Sequence, residues 1–131
     1  MSDGKYVITT PEPGIIYAAL EGDITSKLFE EFGDKRIESA NTAGFREYVL
    51  IVDTTAITRT DGLNVPLLMR MTRSDPRMQL CIIMGKMLLV QVAFKVLRGV
   101  AGVRFEMIEG SDAAFARAHQ VLQRSAADPT A

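Results

Sequence analysis

A single cysteine, Cys81, excludes an intrachain disulfide and fits a reducing compartment. A single histidine, His119, with no cysteine cluster beside it, gives no ligand set for a transition metal. No apolar run approaches the ~18 residues that a membrane-crossing helix needs. The opening Met1-Ser2-Asp3-Gly4-Lys5 has neither the basic region nor the apolar stretch of a signal peptide, so the expectation is a cytoplasmic protein. A formal charge of −1 offers no general attraction to nucleic acid. The basic segments 33–36 and 70–77 carry no interleaved aromatics and read as solvated surface, which also argues against a nucleic-acid partner. No GxxxxGK(S/T) loop, GxGxxG fingerprint or GxSxG elbow is present, so no catalytic residues, cofactor or metal are assigned.

What remains is an ordinary globular composition, 131 residues with 47% apolar and 24% charged. That length fits one domain, read as residues 1–125 with a disordered tail at 126–131. Tyr6 to Thr10 and Ile15 to Gly22 read as two strands joined by the Pro11-Glu12-Pro13-Gly14 turn. Thr25 then caps a helix in which Leu28, Phe29, Phe32, Arg36, Ile37 and Ala40 recur at helical spacing. The run from Tyr48 to Asp53 suits a strand covered on both faces. A second helix runs from about Asn64 to Thr72, with Pro66 in its first turn. Met78 to Met84 is another buried strand, a third helix carries Leu88 to Val100, and Arg104 to Glu109 alternates as an edge strand. Ser111-Asp112 opens a last helix bearing Ala114, Phe115, Ala118, Val121 and Leu122. The predicted class is α/β, with a mixed, mainly parallel sheet of about five strands and about four helices in the order β-β-α-β-α-β-α-β-α.

The segment from Val49 to Gly62 is the most informative. An apolar run ends at Asp53, then passes through Thr54, Thr55, Thr58 and Thr60 to Asp61 and Gly62. It predicts a buried strand emptying into a polar loop at its carboxyl end, where open α/β sheets place their sites. Asp53, Thr58, Thr60, Asp61, Gly62 and Asn64 are the candidate polar surface. Asp53 as a base or Mg²⁺ ligand has Asp61 as its only companion, and hydrogen bonds to loop N–H groups explain the pair equally well. Thr60, Asp61 and Asn64 also suit the cap of the next helix. Cys81, inside an apolar run, reads as an inert core thiol, and His119 as a solvated helix position.

The order of elements and three local motifs resemble the STAS domain, in its bacterial SpoIIAA-like branch of anti-sigma factor antagonists. The carrying segments are Gly14-Ile15-Ile16…Leu20-Glu21-Gly22-Asp23-Ile24, Leu50-Ile51-Val52-Asp53…Ile57-Thr58…Asp61-Gly62-Leu63, and Ser111-Asp112-Ala113-Ala114. The resemblance implies a non-enzymatic regulatory module that binds a protein partner, a regulatory kinase or anti-sigma factor, through the loop after strand three and the second helix. In such antagonists a Ser or Thr before a Gly at that helix start is phosphorylated, which disrupts partner binding. The usual Asp-Ser-Ser-Gly pattern falls here on Thr60-Asp61-Gly62, so an acidic residue stands near the expected hydroxyl. Thr60 is the nearest acceptor and Thr58 the next.

The SpoIIAA-like branch is also similar in fold to lipid-binding CRAL-TRIO domains, which implies an alternative role as carrier of an apolar, lipid-like ligand. On a helix, Met87, Val90, Phe94 and Leu97 cannot all share the stripe formed by Leu88, Leu89, Val92 and Val96. With Met84 they form a candidate apolar surface facing a ligand, a membrane surface or a second copy in a homodimer. Lys86, Lys95 and Arg98 lie beside it.

Overall fold

The structure is a computed structural model that describes residues 4–60, 66, 67, 70, 75–85 and 105–127. Its elements are β1 (Lys5–Glu12), β2 (Ile15–Asp23), α1 (Ser26–Ala43), β3 (Tyr48–Arg59), β4 (Met78–Met84), β5 (Phe105–Met107) and α2 (Ser111–Ala127). The five strands lie side by side in sequence order, β1-β2-β3-β4-β5. β1 and β2 are antiparallel, and every later pair is parallel. The sheet therefore matches the predicted mixed, mainly parallel arrangement. Residues 66, 67 and 70 are helical, within the expected second helix. The rest of that helix and the whole of the third lie outside the described residues.

Side-chain alternation divides the core into two layers. Ile16, Ala18 and Leu20 on β2, Leu50 and Val52 on β3, and Cys81 and Ile83 on β4 pack with Phe29, Phe32 and Ala40 of α1. The intervening Ile15, Val49, Ile51, Leu80, Ile82 and Met84 pack with Ala114 and Ala118 of α2. Unbroken apolar runs in β3 and β4 follow from this, since both faces of those strands are covered.

Local chemistry sets the element ends. Thr25 Oγ1 accepts the N–H of Leu28 at 3.2 Å, capping α1 as expected. Gly44, at φ 71°, ends the helix by donating its N–H to Ala40 and Asn41 carbonyls. Replacing Thr25 by alanine is expected to cost about 1 kcal/mol of stability, read as a lower urea midpoint at constant slope. α2 packs over the central strands, and two long side chains tie it to both edges. Arg117 donates to both carboxylate oxygens of Glu106 on β5, and His119 Nε2 lies 2.7 Å from Glu12 Oε1 at the end of β1. His119 is thus a paired rather than a merely solvated residue. α2 also runs to Ala127, past the expected boundary at 125.

Two further corrections concern charge and length. Arg36 and Asp75, expected on the surface, are buried. Tyr48 donates its hydroxyl to Asp75 Oδ2 at 2.9 Å, and Arg77 grips the same carboxylate through Nε (2.9 Å) and Nη2 (2.7 Å). The Arg77 backbone N–H adds a bond to Asp75 Oδ1, and Nη1 reaches Asn41 Oδ1 on α1 at 2.8 Å. Arg36 projects from α1 to Met78 Sδ at 3.6 Å. Charge runs in sequence look solvated because their partners, here Tyr48 and Asn41, are distant along the chain. β5 spans only three residues, against the six expected from its alternation.

Candidate functional site

β3 does not stop at Asp53. It continues to Arg59, so Asp53 and Thr58 belong to the strand and not to a loop after it. Thr54, Thr55, Ile57 and Thr58 are β-branched and favour extended backbone, which outweighs the polarity that suggests a loop. The extension is irregular. Ala19 of β2 faces Asp53 and Glu21 faces Ala56, so β3 carries one extra residue there; a second irregularity separates the Gly22–Ile57 and Asp23–Arg59 pairs. Bulges of this kind bend a strand and re-aim its side chains.

Asp53 sits at the first bulge and organises it. Its Oδ1 accepts the Thr55 N–H at 2.9 Å and the Thr55 hydroxyl at 2.6 Å, while Oδ2 accepts the Tyr17 hydroxyl at 3.1 Å. Burial pushes the carboxyl's pKa up, but the bonds from Thr55 and Tyr17 outweigh it and hold Asp53 below the usual range. Asp53 is therefore ionised at neutral pH. The same interaction, after burial, raises the Tyr17 hydroxyl's pKa. The Tyr17 ring stacks on Phe115 at 5.9 Å, so α2 supports the group that orients Asp53.

Beside Asp53 opens a cleft of about 580 Å³, where β3 runs on past the carboxyl end of β4. Asp53, Thr54, Thr55 and Ile57 line one side, Met84 and Gly85 another, and Glu109 and Gly110 the third. Thr54 donates its buried hydroxyl to the Met84 carbonyl at 2.6 Å, tying the middle of β3 to the end of β4. Gly85 adopts φ 126°, and a Cβ there would lie 2.3 Å from Thr54 Oγ1. Glycine is thus required both by the backbone and by the space.

Asp53 from the candidate polar surface and Met84 from the candidate apolar surface line the same cleft. Thr58 is exposed on β3, and Thr60, half-buried, directly follows the strand. Asp61, Gly62 and Asn64, and likewise Met87, Val90, Phe94 and Leu97, lie outside the described residues. Tyr17, Thr55, Ile57, Gly85, Glu109 and Gly110 were not among the expected site residues. The only signal for them is a Gly directly after each of two strand patterns, at Gly85 and Gly110. Cys81 is fully buried, and burial pushes its thiol up to about 12 against the pull of Arg36, which makes it the inert core group expected. Among the described residues no cluster of three or more His, Cys, Asp or Glu could hold a metal, and no described helix is long and apolar enough to cross a membrane.

Comparison with solved structures places this architecture. The anti-sigma factor antagonist SpoIIAA in its unphosphorylated form matches with a TM-score of 0.63 at 13% identity, over 88% of this chain and 98% of that one. The chain has the SpoIIAA-like fold. An uncharacterised protein with that fold from Shewanella loihica matches at 0.62 and 14% identity, over 90% of this chain and 98% of its own. The Bacillus cell fate determinant SpoIIAA in its phosphorylated form matches at 0.60 and 14% identity, over 86% and 98%. No protein-family model and no curated protein matches the sequence. At these identities the likeness is one of fold.

Proposed function

We propose that this chain is a non-enzymatic regulatory module that docks a protein partner, a regulatory kinase or an anti-sigma factor, at the carboxyl end of its sheet. The observation that carries the reading is the position of Thr58 near the end of β3 and of Thr60 directly after it, on the strand whose Asp53 and Ile57 line the cleft, in a chain of SpoIIAA-like fold. SpoIIAA itself is known in unphosphorylated and phosphorylated forms. A phosphate on Thr60 brings nearly two negative charges to a position next to Asp61 in sequence, and alters docking by local repulsion and desolvation. The docking surface would consist of Asp53, Thr58 and Thr60 with Asp61, Gly62 and Asn64.

Protein purified from its own cells is expected to carry one phosphate by intact-mass measurement, lost in Thr60→Ala. Thr60→Glu is expected to weaken an isolated partner by about tenfold, or ~1.4 kcal/mol, with the unfolding midpoint unchanged. Unaltered affinity would remove the switch. The second reading, a carrier of an apolar ligand, draws on Ile57 and Met84 in the cleft wall. Native mass spectrometry would reveal it as an added lipid-like mass.

A further inference from the structure

The two edges of the sheet are unlike. β5 is three residues long and half-buried throughout, whereas β1 spans eight residues and has no strand beyond it. The outward N–H and C=O groups of such an edge are a template for another extended chain. Val7 stands midway along the regular part of this edge and is 56% exposed, the only large apolar side chain so open among the described residues. Its neighbour on β2 is Ala19, too small to cover it, and α2 packs over β2, β3 and β4 instead. A groove of about 310 Å³ lies between Thr9 and Thr10 of β1 and Ser39 and Thr42 of α1, so the helix does not overhang that end of the edge.

Two features that commonly blunt an edge, a lysine and a proline, do not act on this one. Lys5 is drawn back over β2 by Glu21 at 3.1 Å, and Pro11 lies past Thr9, where regular pairing with β2 ends. The usable edge therefore runs from Lys5 to Thr9 and is centred on Val7. In an antiparallel ladder the N–H and C=O of one residue point to the same side, and those of the next residue to the other. Two identical edges can thus meet only with one residue on the two-fold axis, facing its own copy. The register that uses the whole segment places Val7 there. We propose that β1 is a homodimer edge, to which a second copy of this chain adds its own β1 antiparallel. Val7 then packs on the copy's Val7, Tyr6 lies opposite its Ile8, and Lys5 opposite its Thr9. No like charges face each other, and apolar side chains meet on both faces of the joined sheet. None of the residues lining the Asp53 cleft is on β1, so each copy keeps its cleft.

Sedimentation of the full chain is expected to show a monomer–dimer equilibrium with a Kd on the order of 10–100 μM, weak because so short an edge makes a small interface. Val7→Lys sets two like charges face to face on the axis and should weaken the dimer at least about tenfold. A cross-link tests the register independently of that variant's folding. Val7→Cys is expected to form an intermolecular disulfide with oxidised glutathione, because directly paired residues stand about 4.5–5.5 Å apart at Cα, within disulfide reach. The native Cys81 is buried and does not compete. Lys5→Cys alone should not cross-link, since its two copies lie about 13 Å apart at ~3.3 Å per residue, but Lys5→Cys mixed with Thr9→Cys should. A monomer mass up to ~1 mM protein would overturn the proposal. So would a dimer that Val7→Lys leaves intact, which would place the contact elsewhere, or a Lys5→Cys cross-link as fast as that of Val7→Cys.

Discussion

Asp75→Ala is expected to lower stability by about 3 kcal/mol, and to remove a pH dependence that the native protein shows below pH 4. The mutation strands two groups at once. The buried Tyr48 hydroxyl loses its acceptor, and the Arg77 guanidinium loses the carboxylate it grips through two nitrogens. Breaking one side of a buried, hydrogen-bonded ion pair costs about 3–5 kcal/mol. The lower end applies because Arg77 is partly open to water, its side chain 28% exposed. Burial pushes the Asp75 carboxyl up, but the Arg77 side chain and N–H and the Tyr48 hydroxyl bring it from 3.8 down to about 2. With the folded value below the unfolded one, the stabilisation is complete above about pH 4 and is lost as pH falls towards 2. The gap is worth about 2 kcal/mol. Urea midpoints between pH 2 and 6 would check this; a parallel pH profile for the native protein and Asp75→Ala would refute it.

Much of this was legible in the sequence, and the exceptions share a cause. The strand pattern of Ile15 to Gly22, the Thr25 cap, the helix stripe of Phe29, Phe32 and Ala40, and the buried runs of β3 and β4 depend on local periodicity. Each appears in the structure where the pattern puts it. Asp75 and Arg77 were misread as solvated because the groups that satisfy them, Tyr48 and Asn41, stand about 27 and 36 positions away. The candidate site was half visible for a similar reason. Asp53 and Met84 each end an apolar run and so announce themselves. Their meeting depends on the parallel pairing of β3 with β4, in which Asp53 lies opposite Met84. Tyr17 reaches Asp53 through the β2–β3 pairing and Glu109 reaches the cleft from the segment after β5, neither of which a local pattern encodes.

The second large effect is expected at Gly85. Gly85→Ala should destabilise by about 3 kcal/mol, measured by urea unfolding. Part of the cost is backbone strain, because φ 126° is a region that L side chains rarely occupy. The remainder comes from the new Cβ, which would displace Thr54 Oγ1 and break its buried bond to the Met84 carbonyl. Thr54→Ala removes the atom that the Cβ meets, so the double variant should be less destabilised than the two single effects added together. Strict additivity would show that the collision does not operate, and a Gly85→Ala cost below about 1 kcal/mol would show that the turn relaxes freely.

The agreement between strand order and chain order has a consequence for how the protein is made. As the polypeptide leaves the ribosome, each new strand finds its neighbour already waiting, and nothing must be inserted between strands that are already paired. The sheet can therefore grow outward from the β1–β2 hairpin in one direction. Until β4 has been synthesised, the apolar Val49–Val52 stretch of β3 forms an open edge. A nascent chain stalled between residues 60 and 77 would be the species most in need of a chaperone.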